Sequence, residues 1–291
     1  MEPSFEALFQ GAARLGMMSA TRGLAWQRFT PFVESFSPEL DGYQELSLTP
    51  GGGDLGLMTR GSGEGFTHRV ARYMDLRGVP EARLRRLLVT ARHFEHRNLF
   101  FKAELTPEGE EMSWYFRRRP RLEVALEWLA ADGIGETDRG LTALVAGALG
   151  KKTVHFLGCS EAPKAATPSG SKLYFSQPTD APWDELISAA TITGLSDAEW
   201  APLLARREEL EGHTCFLSLD YADGRLKPGV KIDIHGAPVD AADALARVRA
   251  SPHGLTLLKL FERARYDYIG VRLRPAQEPT VKVYCYRQGP L

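Results

Sequence analysis

Five basic residues recur along this chain at matched places: Arg60, Arg117, Lys172, Lys231 and Lys282. They stand roughly 50 to 60 residues apart, a spacing that suggests a repeated structural unit. Each lies in a run where apolar and polar residues alternate. Lys172 and Lys282 are each followed two positions later by a tyrosine, Tyr174 and Tyr284. Residues i and i+2 of a strand point to one side, so each ammonium shares a face with a phenol. Ammonium, guanidinium and phenol donors together suit phosphate oxygens. Five convergent cations repel one another unless an anion sits among them, and a diphosphate carries enough charge. Tyr115, Phe216 and Tyr286 add aromatic faces, which attract a cation through the ring quadrupole. A site that holds diphosphate and shields a carbocation performs allylic substitution.

These residues need elements to carry them. Pairs of alternating runs recur five times, and the first four are each followed by a helical pattern. The runs are YQELSL (43–48) with LGLMTR (55–60), and RNLFFKAEL (97–105) with MSWYFRR (112–118). TVHFLG (153–158) pairs with SKLYFSQ (171–177), and TCFLSLDY (214–221) with VKIDIHG (230–236). YIGVRLR (268–274) and VKVYCYR (281–287) close the series. Helical stretches are expected near 68–74 and over 122–131, 183–191 and 239–250, one for each of the first four units. In each strand the apolar set, such as Leu55 and Leu57 or Leu173 and Phe175, must face the amphipathic helices. The polar set faces away from them. Ten antiparallel strands in chain order can close on themselves, which removes both edges and encloses a lumen. The expected fold is therefore α+β: a ten-stranded antiparallel barrel of five ββα repeats, helices outside and a ligand site in the lumen. One domain covers 1–291, with an N-terminal helical segment (1–40) and the five units over 41–287.

The order of elements resembles the aromatic prenyltransferases of the ABBA barrel type. KLYFSQ and VKVYCYR are similar to those enzymes' inward strands, where a Lys and the Tyr two residues on bind diphosphate. Glu45 and Arg60, with the chain length and short N-terminal region, most resemble the cyanobactin-type peptide prenyltransferases. The resemblance implies a dimethylallyl or geranyl diphosphate donor, with Mg²⁺ bound through the diphosphate. It implies diphosphate contacts from Arg60, Arg117, Lys172, Tyr174, Lys231, Lys282 and Tyr284. Glu45 orients the acceptor or takes its proton, and Tyr115, Phe216, Asp233 and Tyr286 line the cation shield or acceptor pocket. Two positions depart from the pattern: Ser113 replaces a common Lys, and Asp233 replaces a common Tyr. The implied acceptor is a peptide side chain. The last strand-like run reaches almost to Leu291, so an open barrel mouth is expected, which favours a large acceptor. A small aromatic metabolite is the first alternative, and a non-catalytic barrel holding an anionic ligand the second.

Composition narrows the remaining classes. The 36 basic and 37 acidic residues balance, so nothing global calls for nucleic acid or an anionic membrane. No run approaches the apolar length that spans a bilayer. Cys159, Cys215 and Cys285 are odd in number and widely spaced, which suits a reduced, cytoplasmic setting. His93, His96 and His155 lack zinc-ligand spacing, so no protein-bound metal is expected.

Overall fold

The computed structural model describes residues 24–288, apart from 53, 107–108, 162–169, 239, 241–244, 248–249, 253, 256–257 and 260–265. Ten strands form the wall: β1 (Tyr43–Thr49), β2 (Asp54–Gly61), β3 (Leu99–Thr106), β4 (Gly109–Phe116), β5 (Phe156–Glu161), β6 (Gly170–Gln177), β7 (Cys215–Ala222), β9 (Val230–His235), β10 (Tyr268–Leu273) and β11 (Thr280–Gln288). A two-residue β8 (Arg225–Leu226) extends the tip of the β7–β9 hairpin. All pairings are antiparallel, and two of them close the barrel. β1 joins β11, with Glu45 opposite Tyr286, and β6 joins β7, with Lys172 opposite Asp220. Every strand thus has two neighbours, as closure requires.

The alternation sorts the wall as its sequence demands. Leu46 pairs with Leu57, Phe101 with Trp114, Leu173 with Leu219, and Ile269 with Val283, all buried on the outer face. Helices cover that face. Phe32 and Phe36 of α1 (Leu24–Gly42) set their rings 5.6 and 5.4 Å from Phe101. Trp128 of α4 (Leu122–Ala131) meets Trp114 edge-on at 6.4 Å. The main core is therefore a shell between barrel and helices, and the lumen is free of it. α1 breaks at Phe36, just before Pro38, where the ring removes a hydrogen bond and disfavours helical geometry in the preceding residue.

Two expectations need correction. The first three units carry two longer helices each: α2 (Glu64–Leu76) with α3 (Glu81–His93), α4 with α5 (Glu136–Ala148), and α6 (Trp183–Ile192) with α7 (Asp197–Leu204). Glycines with positive φ, Gly78, Gly133 and Gly194, end the first helix of each pair and let the second begin. The fifth strand starts at Phe156, not Thr153. Thr153 makes only a bridge to Arg121, and His155 hydrogen-bonds Tyr174 from outside the strand proper. Of the helix expected over 239–250, part lies outside the described residues, and Leu245 to Arg247 are helical.

Candidate active site

The polar faces enclose one cavity of about 1040 Å³. All twelve site residues expected from sequence line it: Glu45, Arg60, Tyr115, Arg117, Lys172, Tyr174, Phe216, Lys231, Asp233, Lys282, Tyr284 and Tyr286. Strand direction then divides them. The second strand of every hairpin runs the same way, and the register between strands, which are staggered, relates their residues. Lys172, Lys231 and Lys282 sit near the starts of β6, β9 and β11. Arg60 sits near the end of β2, and Arg117 just beyond the end of β4. The five cations do not form one ring: Lys282 sits toward the hairpin end, Arg60 toward the other end of its own strand, and the register links Arg60 to Lys172 in one row through Phe100, Tyr115 and Gly158.

At the hairpin end, residues of the first strands join the three lysines. The Lys102 ammonium lies 2.6 Å from Glu104, which also contacts Lys282. Lys231 contacts Asp233 at 2.5 Å and donates to the Tyr284 hydroxyl at 2.9 Å. Arg272 meets Asp220 at 3.1 Å. Lys172 has no carboxylate within 4 Å among the described residues; its ammonium lies 5.9 Å from the Tyr115 ring centre. Burial works against ionisation of Glu104, but Lys102 and Lys282 outweigh it and hold the carboxyl well below its ordinary range. Burial also lowers the Lys282 ammonium to about 8, against the pull of Glu104. Burial opposes ionisation of Tyr115 too, and Lys172 with Lys102 overcomes it and pulls that phenol down. Lys102, Lys231, Lys282 and Arg272 thus share Glu104, Asp233 and Asp220, and Lys172 stands beside them without an ion pair among the described residues.

Two glycines make room for these groups. A Cβ on Gly270 would stand 2.5 Å from Asp233 Oδ1 and 2.6 Å from Lys231 Cε. A Cβ on Gly56 would stand 2.4 Å from Lys102 Cε. Gly270→Ala should displace the Lys231–Asp233 pair and weaken diphosphate binding about tenfold, comparable to one charge-assisted hydrogen bond. Titration of the variant with inorganic diphosphate checks this; wild-type affinity would show that the pair is not part of the anion site.

Aromatic rings run from the lysines toward the other end, beginning with Tyr115 and Tyr284. Phe156 lies 5.6 Å from Phe100, 5.8 Å from Tyr174 and 6.1 Å from Phe216. His235 stacks on Tyr268 at 4.3 Å, and Tyr268 on Tyr284 at 4.1 Å. Tyr115 meets Tyr174 edge-on at 5.8 Å. Tyr286, expected as a shield, stacks on Tyr43 and is 37% exposed, which puts it at the rim. Glu45 is buried within this end and accepts a 3.0 Å hydrogen bond from the Tyr43 hydroxyl. Burial raises its carboxyl to about 6, although Lys102, Tyr268 and Tyr43 all favour the charged form.

Lys102, Glu104, Asp220, Arg272, Tyr43 and Tyr268 also line the cavity; the alternation puts them on the lumen face, but they are not among the site residues expected from the sequence. All follow from carrying the same alternation along the first strand of each hairpin. The magnesium expected through the diphosphate would be held by the diphosphate oxygens rather than by a set of side chains. Glu104, Asp233 and Asp220 are each held by an ammonium or guanidinium, and the described residues contain no group of three His, Cys, Asp or Glu that could hold a metal ion.

No family model and no curated protein matches the chain. Solved structures do. The 6-dimethylallyltryptophan synthase of Micromonospora olivasterospora, in complex with DMASPP and Trp, superposes with a TM-score of 0.67 at 15% identity. The match covers 98% of this chain and 99% of that one. The 5-dimethylallyltryptophan synthase of Streptomyces coelicolor gives 0.63 at 14% identity, over 98% and 97% of the two chains. PriB in its binary complex with product diphosphate gives 0.58 at 14% identity, over 95% and 94%. The likeness is one of fold: this chain has the ABBA, or prenyltransferase-barrel, architecture.

Proposed function

We propose that this protein transfers a dimethylallyl group from its diphosphate to a small aromatic acceptor. The division of one closed lumen into a cationic end and an aromatic end carries this reading. The cationic end matches a leaving diphosphate, and the aromatic end matches both an allylic cation and a flat nucleophile. The allylic C–O bond breaks with its electron pair leaving on diphosphate. Lys172, Lys231, Lys282, Lys102 and Arg272 take up that developing charge without reorganising. Tyr115, Tyr174 and Tyr284 cover the cation and exclude water. The acceptor's electron pair forms the new bond, and its displaced proton passes to Glu45. The solved structures of the same fold include two dimethylallyltryptophan synthases, which favours a small aromatic acceptor over a peptide.

The deciding experiment incubates the protein with dimethylallyl diphosphate and aromatic acceptors, tryptophan first, and reads dimethylallyl adducts by mass spectrometry. Adduct formation supports the proposal. Tight binding of dimethylallyl thiolodiphosphate with no adduct on any aromatic or peptide acceptor would make the barrel a carrier. The same assay tests the metal. Since side-chain cations supply the counter-charge, turnover in EDTA should stay within about twofold of that with Mg²⁺. A loss of two orders of magnitude would show that the diphosphate needs the ion.

A further inference from the structure

Glu104 has no task in the chemistry above, yet it stands in the middle of a site built for an anion. It lines the cavity, and its side chain is only 16% exposed. Asp233 pairs with Lys231, and Asp220 with Arg272. Glu104 holds two ammonium groups at once, Lys102 at 2.6 Å and Lys282. A carboxylate among cations gathered for a phosphate repels the ligand they are gathered for.

The wall is shaped for this double contact. Lys102 and Glu104 lie on β3 and Lys282 on β11, with β2 and β1 between them. The register sets Glu104 opposite Gly56, Gly56 opposite Ser47, and Ser47 opposite Tyr284. Small residues at the two intervening positions leave room for the β3 side chains to lie across the wall and reach β11. A Cβ on Gly56 would stand 2.4 Å from Lys102 Cε and 3.0 Å from its ammonium nitrogen. An ammonium has three N–H donors, so Lys102 and Lys282 can each keep Glu104 and still donate to a phosphate oxygen. Without Glu104 the two ammonium groups would repel each other and turn to any anion the cavity offers.

We propose that Glu104 is a positioning residue of the donor site: it anchors the Lys102 and Lys282 ammonium groups and stays beside the bound diphosphate, which holds the affinity for that anion down and lets the product leave. Only the word product rests on the transfer reading; the effect on anion affinity is independent of turnover. The expected sign is distinctive. A substitution that merely damages the wall weakens binding, whereas removing the Glu104 charge should tighten it.

Inorganic diphosphate is titrated calorimetrically into the full chain, Glu104→Gln and Glu104→Asp, with thermal unfolding recorded for each. Glutamine keeps the length and an oxygen for Lys102 but not the charge. Glu104→Gln should bind diphosphate about tenfold or more tightly than wild type. Glu104→Asp keeps the charge and should stay within about threefold of wild type. Equal or weaker affinity in Glu104→Gln overturns the proposal, as does a tenfold gain in Glu104→Asp. If Glu104→Gln does not fold, Lys282→Met is compared with Lys282→Met/Glu104→Gln, which removes both charges of one pair. The double variant should bind diphosphate more tightly than Lys282→Met, and the reverse order overturns the proposal. Turnover with dimethylallyl diphosphate is measured on the same proteins. In Glu104→Gln, kcat and the KM for donor should fall together, because a product held longer leaves more slowly. Tighter diphosphate binding in Glu104→Gln with no adduct from wild type would sink the transfer reading and leave the effect of Glu104 on the anion site standing. Adduct formation by wild type beside unchanged affinity in Glu104→Gln would do the opposite.

Discussion

Lys172→Ala should lower the affinity for dimethylallyl thiolodiphosphate about 100-fold. A charge-assisted hydrogen bond to a phosphate contributes roughly 1.5 to 3 kcal/mol, and each 1.4 kcal/mol is tenfold. Lys172 is the cleanest cation to remove because it has no carboxylate partner within 4 Å in the structure. Its loss leaves no orphaned acid beside it. Lys231→Ala, by contrast, strips Asp233 of its counter-ion and exposes a buried carboxylate to a cost of several kcal/mol. Any effect on binding in that variant is therefore mixed with damage to the wall. The measurement is calorimetric titration of wild type, Lys172→Ala and Lys172→Arg, with thermal unfolding recorded for each. Arginine keeps the charge and should recover most of the affinity. Wild-type affinity in the alanine variant would remove Lys172 from the donor site. An equal loss in the arginine variant would mean that geometry, rather than charge, governs the contact.

The barrel was legible in the sequence because both periodicities it depends on are local. Leu55 and Leu57 alternate with Gly56 and Met58 whatever the rest of the chain does, and that fixes which side meets the helices. The lining residues follow from the same parity. What parity does not carry is height. Arg60 and Lys172 occupy equivalent strands and the same face, and their spacing in sequence looks uniform. Yet one ends its strand and the other begins it, and the register still places both in one row because the strands start at staggered levels. The position of each hairpin turn holds this information, and Gly51–Gly52 and Asp223–Gly224 mark two of those turns in the sequence. The ion pairs were less accessible. Glu104 and Lys102 lie on one strand and are predictable neighbours, but the approach of Lys282 to Glu104 comes from β11 across the lumen. Only closure through the β1–β11 pairing brings it there.

Glu45→Gln should reduce kcat/KM for transfer by about 10² to 10³, within the usual range for a general base. The substitution is isosteric. Its amide oxygen can still accept the Tyr43 hydroxyl, so the buried site keeps its hydrogen bond. What it loses is the ability to take a proton. Burial raises the Glu45 carboxyl to about 6, above the ordinary 4.5. The group is therefore protonated below that pH and ionised above it. Wild-type kcat/KM should rise with pH through about 6 and then level, while the Glu45→Gln profile should be flat through that region. Tyr43→Phe removes a donor that favours the ionised carboxylate, so in that variant the rising limb should move to higher pH. Donor binding should change little in either variant, since Glu45 lies at the aromatic end. A limb at 6 that persists in Glu45→Gln would assign it to another group. A fall in thiolodiphosphate affinity instead of turnover would mean that Glu45 acts by holding Lys102 in place, because Lys102 is the cation that most favours its charged form.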